Sequence, residues 1–107
     1  MTADNPPLEH VIRLLRRDVL ATVGAAHDHD VRRLAAMVLE YRDPDGAVDK
    51  IVEDVQQYLH DTFVDTTWPT CPRHPNHPMW FRDYAWWCEQ DEVPLARLGE
   101  LHNLRFA

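Results

Sequence analysis

The segment from residue 71 to residue 88 reads CPRHPNHPMWFRDYAWWC, and the fold is predicted outward from it. It contains both cysteines of the chain, Cys71 and Cys88, together with His74 and His77. Thiolates and imidazoles are ligands that zinc prefers, and four such groups close a tetrahedral structural site. These four residues therefore predict a Zn²⁺ site. Asp91 is the alternative fourth ligand, and His77 is preferred because imidazole is the commoner ligand in structural zinc sites.

Prolines recur at every third position around this segment, at residues 69, 72, 75 and 78. In a polyproline II helix, with a rise of ~3.1 Å per residue, Cys71 and His77 would lie ~19 Å apart and could not share a metal ion. Proline is favoured at the second position of a β-turn, and asparagine tolerates the third. The pattern therefore favours two consecutive turns, residues 71–74 and 74–77, which bring the ligands together.

Length and charge bound the class of protein. The chain of 107 residues is expected to form one domain, with a helical part at residues 1–65 packed against a zinc-binding module at residues 66–107. Its formal charge of −7 comes from 18 acidic and 11 basic residues. Binding to nucleic acid needs a clustered basic surface, which the sequence lacks, so nucleic acid is not expected as a partner.

Targeting signals and membrane spans are not evident. No apolar run approaches the ~18 residues of a transmembrane helix, and the N-terminus lacks the pattern of a secretory signal. The sequence therefore predicts a cytoplasmic protein, in which the two cysteines do not form a disulfide bond. Ten arginines against one lysine indicate a GC-rich bacterial genome.

Three helices are predicted in the N-terminal part. Apolar residues at helical spacing cover residues 6–23, 30–41 and 47–63, and Gly24 is expected to end the first helix. The sequence Asp43-Pro44-Asp45-Gly46 is typical of a turn. The Arg16-Arg17 and Arg32-Arg33 pairs are expected to be solvated or paired with nearby acids, namely Asp18, Glu40 and Asp28. Asp28 or Asp30 is expected to cap the second helix.

The C-terminal part predicts a β-hairpin. Residues 79–82 and 85–88 are rich in aromatic residues, which suit a pleated surface, and Asp83 and Tyr84 would form the turn. Residues 93–98 are predicted as a third strand. The leucines at 95, 98 and 101 also fit a short helix beginning at Pro94, so strand and helix both remain open for residues 94–104. The fold class is α+β: three helices followed by a zinc-stapled hairpin.

Several motifs carry a resemblance to known proteins. The segment Trp68-Pro69-x-Cys71-Pro72-x-His74-Pro75-x-His77-Pro78 is followed by Trp87-Cys88 and by Leu98-Gly99-x-Leu101. This pattern resembles a group of small uncharacterised actinobacterial proteins, and the resemblance implies a metal site but no activity. The pattern is also distantly similar to a zinc ribbon, in which Cys71-x-x-His74 and Cys88-x-x-Asp91 would be the two knuckles.

Function is predicted mainly by elimination. Four protein ligands leave no position for a catalytic water, so the sequence favours a non-enzymatic adaptor over a small zinc hydrolase. A nucleic-acid-binding regulator of the zinc-ribbon type is the other alternative. Tryptophan is enriched at binding hot spots, and a small module cannot bury every ring. A protein partner or self-association is therefore expected, through some of Trp68, Trp80, Trp86 and Trp87.

Overall fold

The structure is a computed structural model that describes residues 7–41, 44–62 and 66–104. Three helices precede a three-stranded antiparallel sheet, so the predicted α+β class is confirmed. The helices are α1 (Leu8–Val23), α2 (Asp28–Tyr41) and α3 (Pro44–Asp61), and the strands are β1 (Trp80–Arg82), β2 (Ala85–Cys88) and β3 (Val93–Arg97). Short 3₁₀ turns at Ala25–His27 and Leu101–Asn103 complete the described elements.

Helix α1 follows the prediction closely. It buries Val11, Leu15 and Val19, which are four residues apart and therefore lie on one face. The helix ends at Gly24, whose φ of +91° is in a region that glycine occupies at low cost. The predicted first residue, Pro6, lies outside the described residues.

Helices α2 and α3 both begin earlier than predicted. Helix α2 starts at Asp28, two residues before the predicted start. Helix α3 starts at Pro44, so the predicted turn is wrong for residues 44–46, while Asp43 lies outside the described residues, as does the predicted helix end at Phe63. Proline suits the first position of a helix because its missing N–H would have no partner there. The two helices bury Val31, Ala35, Val38, Ala47, Ile51, Val52, Val55 and Leu59.

The predicted hairpin is confirmed. Strands β1 and β2 pair in antiparallel register, with Arg82 opposite Ala85. Asp83 and Tyr84 connect them with φ values of 51° and 59°, as a two-residue turn of type I′ requires. The structure also decides between strand and helix for residues 94–104. Residues 93–97 form a strand, and the only helical part of residues 94–104 is the 3₁₀ turn at Leu101–Asn103.

One hydrophobic cluster contains residues from both the helices and the sheet. Two of the four tryptophans, Trp68 and Trp86, are buried in it and meet edge to face with ring centroids 5.3 Å apart. Phe81 packs against Trp86 in a similar edge-to-face arrangement, also at 5.3 Å. Aromatic pairs of this geometry contribute about 0.5–1.5 kcal/mol beyond the area they bury. Trp68, Phe81 and Trp86 therefore form an aromatic cluster of the C-terminal part, within the core that this part shares with the helices.

A buried carboxylate connects α1 with the C-terminal part. Asp18 is fully buried and accepts hydrogen bonds from Trp86 Nε1 at 2.8 Å, from the Gly99 N–H at 2.7 Å and from the Leu101 N–H at 3.0 Å. Burial raises the pKa of Asp18, and the three donors oppose that rise. The expectation that Asp18 pairs with a neighbouring arginine is wrong. Asp18 instead holds together three segments that are distant in sequence.

Gly99 is required at this junction for two reasons. Its φ of +90° is unfavourable for other residues, and a Cβ atom at this position would lie 2.5 Å from Leu14 Cδ2 of α1. Real Cβ atoms do not approach that closely. Glycine therefore lets the backbone come near enough to α1 for its N–H to reach Asp18.

The other charged residues of the helices pair mostly at the surface. Arg16 donates two hydrogen bonds to Asp28, at 2.8 and 2.9 Å, as the sequence predicts for one of these arginines. Asp30 accepts hydrogen bonds from Tyr58 at 2.7 Å and from Arg33 at 3.2 Å. Asp28 and Asp30, the two residues expected to cap α2, thus both accept hydrogen bonds from side chains. Among the described helices, none is long and apolar enough to cross a membrane.

Candidate metal centre

The proline-rich loop folds into the two turns that the sequence predicts. The His74 N–H donates to the Cys71 carbonyl at 3.2 Å, and the His77 N–H donates to the His74 carbonyl at 2.9 Å. Each bond joins the first and fourth residues of a β-turn. His74 therefore ends one turn and begins the next, and the extended polyproline arrangement is not formed.

Further backbone bonds close the loop. The Cys71 N–H donates to the His77 carbonyl at 3.0 Å, and the Met79 N–H donates to the Pro69 carbonyl at 2.7 Å. Thr70 and Pro78 form an isolated antiparallel bridge between these two bonds. Backbone hydrogen bonds thus hold the loop at its base and fix the direction of the Cys71 side chain.

A third turn, residues 88–92, begins where β2 ends. The Glu92 N–H donates to the Cys88 carbonyl at 2.8 Å, and the Asp91 N–H donates to Cys88 Sγ at 3.3 Å. Glu92 has a φ of +54°, which turns the chain into β3. An N–H directed at a cysteine sulfur stabilises a thiolate, so this turn suits a metal-binding cysteine.

The turn 71–74 and the turn that follows β2 bring three ligand atoms together. His74, Cys88 and Asp91 each offer one such atom, and these atoms all lie within 4.8 Å of one another. His74 Nε2 lies 3.3 Å from Asp91 Oδ2, and Cys88 Sγ lies 3.6 Å from the same oxygen. This group could hold a metal ion. The sequence prediction placed His74 and Cys88 in the site and named Asp91 as the alternative ligand.

The remaining two predicted ligands differ in position. Cys71 is buried, and its thiol lies near enough to Cys88 to raise the pKa of the Cys88 thiol, but Cys71 is not a member of the group of mutually close ligand atoms. Both cysteines are free. His77 is exposed and is not a member of the group of ligand atoms that the described residues bring together. The structure thus places Asp91, and not His77, beside His74 and Cys88.

Charge around the group is concentrated on Asp91. Its carboxylate lies 3.1 Å from the Arg73 guanidinium as well as 3.3 Å from His74. The hydrogen bond with His74 lowers the pKa of Asp91, and the positive charge of Arg73 lowers it further. Burial raises the pKa of Cys88, and the neighbouring Cys71 thiol raises it as well. A carboxylate with a lowered pKa beside a buried thiol and an imidazole is an arrangement that a cation would stabilise.

The four tryptophans divide into two groups. Trp68 and Trp86 lie in the core, where their indole N–H groups donate to Thr22 at 2.8 Å and to Asp18 at 2.8 Å. Neither offers a contact surface to a partner in this structure. Trp80 is 42% exposed, and Trp87 is half-buried under the Arg82 guanidinium, whose Cζ lies 5.0 Å from the ring centroid. Surface tryptophan is therefore confined to positions 80 and 87.

Sequence reasoning missed the role of Asp18. The available signal was its place on the apolar face of α1, three residues after Leu15 and next to Val19, where a charged residue needs a specific partner. A second signal was the Leu98-Gly99-x-Leu101 motif, because the backbone N–H groups of Gly99 and Leu101 are two of the donors to Asp18.

Comparison with known proteins gives no further assignment. No family model matches the chain, and neither the curated proteins nor the solved structures contain a significant match.

Proposed function

We propose that this protein is a non-enzymatic protein-binding module stabilised by one structural zinc ion, with Cys71, His74, Cys88 and Asp91 as ligands. The observation that supports the proposal is that the turn 71–74 and the turn that begins at Cys88 bring ligand atoms of His74, Cys88 and Asp91 within 4.8 Å of one another, with the Cys71 thiol near that of Cys88. The proposed ligands are residues 71 and 74 of one turn and residues 88 and 91 of the other. This spacing, Cys71-x-x-His74 and Cys88-x-x-Asp91, is the basis of the distant similarity of the sequence to the two knuckles of a zinc ribbon.

The set of donor atoms favours zinc over other common cations. Calcium and magnesium take oxygen ligands almost exclusively, whereas two thiolates and an imidazole suit a softer ion. Zinc accepts cysteine, histidine and aspartate in one tetrahedral site. Asp91 replaces His77 in the proposed set because its carboxylate already contacts His74 and Cys88, while His77 is not a member of this group of ligand atoms.

Burial of the two sulfur atoms supports a structural role for the ion. Cys71 and Cys88 are 1% and 0% exposed, and both belong to the hydrophobic core. Four protein ligands leave no position for the water that a hydrolytic zinc enzyme activates. Ligation requires reduced cysteines, so we place the protein in the cytoplasm. What remains for function is the surface of the module, and we infer that it binds another protein.

Metal analysis of variant proteins tests the zinc site. Protein purified without chelators should contain about one zinc per chain, and cobalt substitution should give the absorption of a tetrahedral thiolate site. Asp91→Ala should lower zinc occupancy, whereas the matched variant His77→Ala should keep it. Absence of stoichiometric zinc from the unmodified protein would overturn the proposal. Loss of zinc from His77→Ala alone would replace Asp91 by His77 in the ligand set.

A further inference from the structure

A groove of about 640 Å³ lies between α3 and the strand β1, on residues other than the four proposed ligands. One wall is formed by consecutive residues, 78–83, which include the whole of β1. The opposite wall is formed by one side of α3, including Asp49, Val52 and Glu53. The volume is within the range of ~300–1,000 Å³ that is typical of ligand-binding clefts.

Strand β1 is an edge strand of the sheet. The strand order is β1-β2-β3, so β2 pairs with only one side of β1. In the observed register, Arg82 opposite Ala85 closes the two-residue turn, and Phe81 opposite Trp86 is the next pair. Residue pairs in an antiparallel ladder alternate between hydrogen-bonded and non-hydrogen-bonded. The pair Phe81–Trp86 is non-hydrogen-bonded, so the N–H and C=O of Phe81 point away from β2. They are directed to the side of β1 on which another strand can add.

The chain closes this edge on one side of Phe81. The Met79 N–H already donates to Pro69, and Gln56 Nε2 donates to the Met79 carbonyl at 3.3 Å. The next backbone groups that face the same way are those of Phe81, because alternate residues of a strand share an edge. Asp83 lies beyond β1, in the hairpin turn, so an added strand would pair with β1 at Phe81.

Charge and aromatic surface define what fits the groove. Three carboxylates line it, from Asp49, Glu53 and Asp83, against one guanidinium, that of Arg82. Arg82 already lies over the Trp87 ring and 3.9 Å from Asp83, so its charge is partly engaged. Lys50 lies 3.6 Å from Glu53 and reduces, without reversing, the negative charge of this wall. Exposed Trp80 supplies a flat surface for aliphatic or cationic side chains.

We propose that this groove binds an extended, basic segment of another protein, which pairs as an additional strand with β1. The inference rests on the proposed protein-binding function and names the class of partner. Backbone hydrogen bonds to Phe81 would supply affinity, and lysine or arginine side chains would be selected by the acidic wall. Pairing of β1 with β1 of a second copy would bring two acidic grooves together. A nucleic acid would place phosphates against the same carboxylates.

Synthetic peptides test the groove directly. The probe is a fluorescein-labelled peptide of alternating lysine and valine, about ten residues long, and the controls are its glutamate-valine analogue and the same lysine-valine peptide with alternate N-methylated amides. The lysine-valine peptide should bind, quench Trp80 and shift the amide resonances of residues 80–83. N-methylation should weaken binding about tenfold or more because it removes donors from one edge of the peptide. The glutamate analogue should not bind.

Charge-reversed variants separate the groove from general attraction to an acidic protein. Asp49→Lys and Glu53→Lys should each weaken binding of the lysine-valine peptide about fivefold, whereas Glu40→Lys, an exposed charge change of equal size on α2, should have a smaller effect. Equal losses in all three variants would overturn the proposal, as would equal binding of the N-methylated peptide. A dimer that forms through β1 and excludes the peptide would assign the groove to a second copy.

Zinc content measured on the same samples distinguishes this proposal from that of the metal site. Zinc-containing protein that fails to bind the peptide would overturn only the groove proposal. Zinc-free protein that binds the peptide would overturn only the structural metal.

Discussion

Two aspartates of this molecule, Asp18 and Asp91, each have three polar contacts, but the contacting groups and the burial of the two side chains differ. Asp18 is fully buried and accepts hydrogen bonds from one indole and two backbone N–H groups. Asp91 is 37% exposed at its side chain and contacts a guanidinium, an imidazole and a thiol. Both carboxylates thus have three neighbours. The donors to Asp18 are fixed N–H groups, while the neighbours of Asp91 are all side chains that titrate or bind ions.

This difference distinguishes a structural carboxylate from a candidate ligand. Backbone and indole N–H groups cannot bind a metal ion, so the contacts of Asp18 have no use other than stabilising the fold. The imidazole and the thiol that contact Asp91 bind zinc when deprotonated, so these contacts can be replaced by metal–ligand bonds. The comparison therefore predicts that metal removal affects one region, and that loss of Asp18 affects the whole fold.

The largest effect is expected from removal of the metal. Cys88→Ser should abolish stoichiometric zinc and unravel residues from about 67 onward, because binding of a structural zinc contributes on the order of 10 kcal/mol to folding. Much of the helical circular dichroism should remain. Hydrogen exchange of the amides of residues 70–91 provides the measurement. Unchanged protection of these amides in Cys88→Ser would show that the metal is dispensable for the fold.

Substitution of Asp18 should give the next largest effect. Asp18→Ala leaves the N–H groups of Trp86, Gly99 and Leu101 without their acceptor, and each buried unsatisfied donor costs about 1–3 kcal/mol. We expect a loss of about 3 kcal/mol or more in the free energy of unfolding, measured by urea denaturation of the zinc-loaded protein.

The control for this variant is Asp18→Asn, which keeps the size of the side chain. Its one carbonyl oxygen cannot occupy both oxygen positions of Asp18, so at least one donor meets an amide NH₂ group. The loss should be smaller than for Asp18→Ala. Zinc stoichiometry should be unchanged in both variants if the two regions are separate, and loss of zinc in folded Asp18→Asn would contradict the comparison.

The proposed ligand set predicts a smaller, local effect. Asp91→Asn removes the charge but keeps a carbonyl oxygen, and it should weaken zinc binding about 10–100-fold while leaving the helices intact. The measurement is competition with a chromophoric chelator at fixed pH. His77→Asn is the matched substitution and should change zinc affinity less than about threefold, since His77 is exposed outside the group. Equal affinities for the two variants would place neither residue on the metal.

The sequence was most informative where local rules decide the structure. Proline at the second position of each turn predicts turns 71–74 and 74–77, and both are formed. The two residues Asp83 and Tyr84 between aromatic runs predict the hairpin. These features depend on neighbouring residues, whose preferences can be read from single positions.

Features that depend on distant segments could not be decided in the same way. Ligand chemistry favours His77 over Asp91 as the fourth ligand, but spacing does not reveal which of the two side chains the folded loop places beside Cys88. The contacts of Asp18 join residues 68 to 83 positions apart. Helix periodicity showed the apolar face of α1, but it could not show that buried N–H donors would meet the one carboxylate on that face.

The smallest expected effect concerns pH and the surface pair Arg16–Asp28. The hydrogen bonds from Arg16 lower the pKa of Asp28 below its ordinary value of 3.8. Stability from this pair is therefore present above that pH and is lost as the pH falls below it. Because both side chains are about a third exposed, the contribution should be only about 0.5 kcal/mol. The free energies of unfolding of the unmodified protein and of Asp28→Asn, measured by denaturation, should differ at neutral pH, and the difference should disappear on acidification.

Asp18 should give a pH dependence of the opposite sign. Because burial raises its pKa above 3.8, the stability linked to its protonation is present at low pH and is lost as the pH rises through the raised pKa. The stability gap between the unmodified protein and Asp18→Asn should therefore narrow as the pH rises, whereas the gap for Asp28→Asn widens. If the stability differences of both variants changed in the same direction with pH, the acid-dependent stability of this fold would not originate at Asp18 and Asp28.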